Sequence, residues 1–307
     1  MAVSRALLRH AAAVAATWSL VAALAGCTTP AATVQPASVA LDGLPNGIAL
    51  RPADSAVFIT DDRTSSVLVS TGGAFTRYAA IPVTAGQGKS LSQLSFTPSG
   101  VLFVERFGFG SASAIYEMTG ADAISALSGP DPARRRLGLL ALGSGQLLST
   151  WFVKNGDNPP QGGLSLVTYD EATHTATERD LMTGLGKPVG VVVWDGNVFV
   201  SDQASNTIVK ANLSALLSSP EPATPTVVVA KIASPDLMAV DAAGKLYTKC
   251  DRSGLCEIAQ DGTVRVLAND FQTARGVAVD AQHHLLYAVD RATSASGTSY
   301  VRTFPIK

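Results

Sequence analysis

The stretch VGVVVWDGNVFVSD, Val189 to Asp202, sets two short runs of β-branched and aromatic residues on either side of Asp195-Gly196. An Asp-Gly pair between such runs is the mark of a tight hairpin. The pattern recurs along the chain. NGIALRPADSAVFITDD begins at Asn46, QLSFTPSGVLFVER at Gln93 and LGLLALGSGQLLSTWF at Leu137; DLMAVDAAGKLYTKCD follows at Asp236 and RGVAVDAQHHLLYAVDR at Arg275. With the Val189 copy these make six units, each roughly 40 to 50 residues after the one before, the period of β-propeller blades.

The runs have strand length rather than helix length, and more strand-like sequence follows each pair, such as SSVLVST and AFTRYAAIPV after the first. Four strands per unit are therefore predicted. The last copy has room for only one further strand, SYVRTFPI, whereas ASVALDG before Asn46 is a strand to spare. Pairing the two removes an exposed edge and closes a ring. The expected fold is all-β, a six-bladed β-propeller over residues 39–307 whose N-terminal strand completes the last blade. A β-sandwich would not produce six equivalent units. Ala121–Arg136 and Leu213–Thr226 read as surface excursions, the second with one short helical turn.

Ahead of the repeats, Arg5 and Arg9 precede an apolar run from Ala11 to Ala25 and the box Leu24-Ala25-Gly26-Cys27. The run is short for a bilayer span. It resembles a bacterial lipoprotein signal over residues 1–26, with Cys27 as the acylated residue; an ordinary secreted protein is the alternative. Residues 27–38, small, Pro-bearing and uncharged, read as a tether. Acyl chains at ~0.8 kcal/mol per buried methylene would hold such a protein on a membrane. Thr28 after the Cys, rather than Asp, points to the outer membrane, facing the periplasm.

A net charge of −1 and only 15% charged residues exclude a nucleic-acid footprint. A monomer is expected. With Cys27 assigned to lipid, Cys250 and Cys256 remain as an even pair in an oxidising compartment, flanking a turn-like DRSGL; a cross-strand disulfide or two free thiols are the choices. No further Cys or His stands nearby with metal-ligand spacing.

In a propeller, the start of each inner strand and the end of each second strand lie at one mouth of the central channel. The inner ring predicted on this basis is Asn46, Gln93, Leu137, Val189, Asp236 and Arg275; the second-strand ends add Asp61, Asp62, Arg63, Glu105, Arg106, Lys154, Asn155, Asp202, Gln203, Asp251, Arg252, Asp290 and Arg291. From these, Asn46, Gln93, Glu105, Arg106, Asp202, Asp236, Arg275 and Asp290 are the candidate ligand-binding residues. For Asp202 and Asp290 a role in capping turns or bridging blades competes equally. His174, His283 and His284 lie in turns expected at the opposite end, exposed and inert. Trp151 and Phe152 are the candidates for a stacking surface.

LPNGIALRPADSAVFITDD and SPDLMAVDAAGKLYTKCD resemble the senescence-marker-protein/gluconolactonase-like propellers, and the blade repeat also looks like the NHL type. The resemblance implies a divalent cation, commonly calcium, at the channel mouth and hydrolysis of lactones. Carried across, it leaves Asn46 and Asp236 as weak metal candidates. Val189 stands where an Asn is expected, and Arg275 is placed to pair with Asp236 instead. The reading that follows is a lipid-anchored envelope propeller that binds a small molecule or a protein partner without catalysis, with no cofactor assigned. The alternative is a metal-dependent lactonase- or esterase-type hydrolase.

Overall fold

The computed structural model describes residues 37–307, apart from positions 84, 87, 110, 111, 122 and 144. The signal segment, Cys27 and all but the last two residues of the tether lie outside the described residues.

Strand β1 (Ala37–Leu41) comes first, and the blades follow in chain order. Blade 1 is β2 (Pro45–Leu50), β3 (Val57–Asp61), β4 (Ser66–Ser70) and β5 (Thr76–Ala80); blade 2 is β6 (Leu91–Phe96), β7 (Leu102–Arg106), β8 (Ala114–Gly120) and β9 (Ala123–Ala126). Blade 3 comprises β10 (Arg135–Gly143), β11 (Gln146–Val153), β12 (Gln161–Asp170) and β13 (Thr175–Leu185). Blade 4 comprises β14 (Pro188–Trp194), β15 (Asn197–Asp202), β16 (Thr207–Asn212) and, after helix α1 (Leu213–Ser218), β17 (Val227–Lys231). Blade 5 is β18 (Met238–Val240), β19 (Leu246–Lys249), β20 (Leu255–Ile258) and β21 (Val264–Ala268). Blade 6 is β22 (Ala274–Asp280), β23 (Leu285–Asp290) and β24 (Ser299–Pro305), with β1 as its outer strand. Leu41 pairs with Ser299 and Ala37 with Thr303, so the ring closes as expected. The fold is a six-bladed β-propeller.

The core is divided among the seams. Each of six apolar clusters draws its buried residues from two neighbouring blades: Phe58 and Val67 meet Leu94 and Val104 between blades 1 and 2, and Tyr247 and Leu255 meet Val277 and Leu286 between blades 5 and 6. Stacking of sheet faces around a ring, rather than one central core, is what lets six short repeats bury their apolar sides.

One local device recurs where the inner strand opens. In five blades the pairing between first and second strands slips at the same place; in blade 1, Pro45 pairs with Asp61 but Ile48 with Ile59. Two residues thus oppose one, a β-bulge. Asn46-Gly47 faces Thr60, whose hydroxyl accepts the Gly47 N–H at 2.7 Å and donates to the Ser92 carbonyl of the next blade at 2.9 Å. Thr150 does the same for Gly138 and the Val189 carbonyl, and Ser201 for Gly190 and the Asp236 carbonyl. The backbones approach so closely that a Cβ on Gly138 would stand 1.9 Å from the Val189 oxygen. The Gly in each dipeptide is therefore a seam residue. Blade 2 lacks it, and there Ser92 occupies the ring position with Gln93 in the place of the Gly. This corrects the ring read from sequence by one residue.

The two excursions divide. Leu213–Ser218 is the expected short helix, capped at Asn212. Ala121–Arg136 instead supplies the outer strand of blade 2 and ends in Arg136, which is fully buried. Cys250, just past β19, and Cys256, in β20, have their sulfurs 2.08 Å apart.

Candidate functional site at the channel mouth

Of the eight candidate ligand residues, the structure brings Asp236 and Arg275 together and disperses most of the others. Gln93 turns back to the backbone of Ile48, accepting its N–H at 3.2 Å. Asn46 donates its amide to the Leu91 carbonyl at 2.9 Å. Glu105 and Arg106 point to opposite sides of β7, as neighbours on a strand must. Glu105 is buried against blade 3, where it accepts the Ser149 hydroxyl at 2.5 Å, and burial pushes its carboxyl up to about 8. Arg106 is buried against blade 1, bonding the Pro82 carbonyl and lying over the Tyr116 ring.

Asp202 and Asp290 take the capping role. Asp202 accepts the N–H groups of Gly186 and Lys187, and Asp290 that of Gln272, each fixing the loop that leads into its blade's inner strand. Asp61 does the same for Leu44 in blade 1. Strand-end aspartates here hold turns.

What converges at the mouth is a group of cations around one carboxylate. Asp236 is buried, and its Oδ2 lies 3.2 Å from Lys249 Nζ and 3.2 Å from Arg275 Nη1. Burial alone would raise its pKa, but the two cations outweigh burial and hold it below the usual carboxylate range. Lys187, half-buried and bonded to Gln203 at 2.7 Å, completes the group. Its pKa is lowered, first by burial and then by Arg275, Lys249 and Arg135, against the pull of Asp236. Further round the ring, Arg291 meets Asp62 at 2.6 Å, and Asp62 also accepts the Leu91 N–H.

The side formed by blades 2 and 3 is aromatic. Phe107 packs on Phe109 and Phe152, with ring centroids at 5.0 and 5.9 Å, and Arg135 lies over Phe109 and Phe152. Lys187 reaches Phe152 at 5.7 Å and so joins the two halves. Phe109 is more than half exposed. Trp151, by contrast, faces a buried network, with Arg134 3.8 Å above its ring.

Sequence reasoning missed Lys187, Lys249 and Arg135. Lys249 is itself the last residue of β19, two before the Asp251 read as that strand's end, and it meets Asp236 rather than a turn. The missed network joins Arg134 and Arg136 to Glu178 and Asp180 across blade 3, where the paired runs RRR and ERD were the available signal. Of the histidines, His283 and His284 are exposed as expected, with His283 bonding Asp280 at 2.7 Å, whereas His174 is partly buried and bonds Glu117 of the neighbouring blade at 2.8 Å. A cavity of about 550 Å³ lies between blades 6 and 1 among turns bearing Asp54, Gly72 and His283. It gathers no comparable set of charges, so the chemistry favours the mouth over the larger space.

Neither the protein-family models nor the curated proteins contain a match to the sequence. Solved structures do match in three dimensions. A gluconolactonase from Xanthomonas campestris superposes with a TM-score of 0.66 at 14% identity, over 87% of this chain and 89% of that one. The chain has a gluconolactonase-type fold. A luciferin-regenerating enzyme matches with a TM-score of 0.64 at 13% identity (88% and 95% coverage), and the calcium-binding protein regucalcin from Agrobacterium tumefaciens with 0.61 at 14% (86% and 93%).

The gluconolactonase-type fold raises the question of a cation, and the side chains answer it locally. Among the described residues no group of three His, Cys, Asp or Glu is gathered for a metal. Asp236 already pairs with two cations through one oxygen, and Val189 offers no ligand. A divalent ion there would have to displace Lys249 and Arg275 against their repulsion. These residues do not fit the metal centre that the resemblance implies.

Proposed function

We propose that the protein binds a small polar molecule at the channel mouth while anchored in the bacterial cell envelope through lipid on Cys27, at the outer membrane and facing the periplasm. The observation that carries the binding reading is the state of Asp236, held between Lys249 and Arg275 at 3.2 Å each. The mouth is thereby a fixed cationic surface beside an aromatic one, a form suited to recognition. Calorimetric titration with calcium, magnesium, manganese and zinc is expected to be silent. Tight binding of any of them that disappears in Asp236→Ala would overturn this reading. For the anchor, Cys27→Ser is expected to move the protein from the membrane to the soluble fraction.

A second reading is supported by the likeness to solved gluconolactonases along most of the chain: ring-opening hydrolysis of a lactone or ester in the same mouth. Lys249 and Arg275 would then stabilise the negative charge that develops on the carbonyl oxygen. Turnover of simple lactones that is independent of added cations and lost in Lys249→Met would establish it. No turnover, with ligand binding intact, leaves the first reading standing.

A further inference from the structure

We propose that the mouth holds a dedicated oxyanion receptor, built from Arg252, Arg275 and Arg291, that takes the carboxylate or phosphate group of the bound molecule. The inference rests on the reading of the mouth as a ligand site and names the chemistry of what enters it. A cavity of about 230 Å³ opens where blades 5, 6 and 1 meet. The three arginines line it with Thr273, Thr293 and Ser294, and no carboxylate does.

Two of the guanidinium groups are fixed from behind. Arg275 meets Asp236 and Arg291 meets Asp62, each through Nη1 alone. Both groups also line the cavity; Arg275 keeps a third of its side chain exposed, while its Nε is buried with no hydrogen-bond partner among the described residues. Arg252 is exposed and has no carboxylate partner there. Guanidinium groups facing one space repel one another unless a negative charge sits between them. Lys187 and Lys249 add to the same field, and Asp62 and Asp236 oppose it.

Arginine is the side chain suited to this task, since its planar fork matches carboxylate and phosphate oxygens two at a time. Because two of the three forks are already held, little ordering remains to oppose binding. The volume is below the roughly 300 Å³ at which sites for whole drug-sized ligands begin. It therefore accepts the acidic end of a molecule, with the remainder lying across the mouth toward Phe152 and Phe109.

The test is calorimetric titration of the full chain with inorganic phosphate and with succinate at low salt, beside a neutral lactone. Binding of either anion is expected. Arg252→Ala, an exposed change that leaves the Asp62 and Asp236 pairs intact, should weaken it about tenfold. Arg77→Ala, the same charge loss on the exposed outer strand of blade 1, should leave it unchanged. Tighter phosphate or tighter succinate both support the receptor and identify the group it prefers. An equal loss in the two variants would reduce the effect to overall charge and overturn the proposal. Failure of both anions with retention of the neutral lactone would also overturn it while the mouth survives as a ligand site; failure of all three would remove the mouth reading as well.

Discussion

The seam between blades 2 and 3 and the mouth between blades 4, 5 and 6 both press cations onto a buried carboxylate. In the seam, Arg136 bonds Glu178 at 2.7 Å and Arg134 bonds Asp180 at 2.7 Å. Ser165 and Trp151 supply further donors to Asp180. Glu105 next to them is pushed up to about 8 by burial, and Asp131 lies 3.6 Å from Arg134 as a further carboxylate, so both guanidinium groups are matched within the seam. At the mouth, Lys187, Lys249, Arg275 and Arg291 gather about Asp62 and Asp236, and within that group of six the surplus is positive. The seam is finished by its own residues, whereas the mouth is finished only by something from outside. Density of charge does not mark a site; imbalance open to solvent does.

The most severe way to break this contrast is Arg136→Met. It takes one of two guanidinium partners from the nearly buried Glu178 side chain and leaves only Arg134 at 2.9 Å, and loss of one partner from such a buried pair costs up to about 3–5 kcal/mol. Denaturant unfolding measures it, and a change near zero would show that the seam is not the closed network described. Next is Gly138→Ala, where the added Cβ meets the Val189 oxygen. Overpacking of that kind costs about 1–3 kcal/mol, and an unaffected midpoint would remove the close approach of inner strands from the argument.

The seam also predicts two opposite pH slopes. Glu178 is opposed by burial but pulled down to about 2 by Arg136 and Arg134. Its stabilisation is present above the ordinary glutamate pKa and is lost as pH falls toward 2. Glu105 is raised to about 8. Its protonated form is fully compatible with the fold below the ordinary pKa, and stability falls as pH rises from there through 8, by at most about 1.4 kcal/mol per pH unit. Glu105→Gln should flatten the alkaline limb alone; an unchanged limb would place the cause elsewhere. Reduction of the Cys250–Cys256 pair should lower stability by about 2 kcal/mol, seen as a mass gain and a lower midpoint. Two alkylatable thiols in the untreated protein would refute the pairing. The smallest effect expected is that of Arg252→Ala on stability without ligand, within about 0.5 kcal/mol. A larger loss would mean that the mouth, too, is a structural network.

The repeat made the architecture legible, because strand runs and turns recur at one period and the first and last runs are complementary in number. Side-chain destination was harder. Strand ends were easy to locate, but a single step along β7 sends Glu105 and Arg106 into different seams. Asp202 and Asp290 look like ligands until the N–H groups they accept are seen. Gln93 was placed in the ring because its blade lacks the Gly that follows the ring residue in blades 1, 3, 4 and 6. Asp236 and Arg275 were found together because both open adjacent inner strands, and their pairing follows from charge alone. Lys249 and Lys187 were missed since nothing in a linear reading sets them apart from surface lysines.

Closure by β1 has a further consequence for how the molecule is made. Ala37 and Thr303 are partners across almost the entire polypeptide, so a chain delivered N-terminus first must wait for its last segment before the circle can be completed. Until Ser299–Pro305 arrives, β1 has no neighbour and β23 presents a free flank, the condition under which strands pair with the wrong molecule. Deleting those seven residues should therefore yield aggregated rather than merely weakened protein.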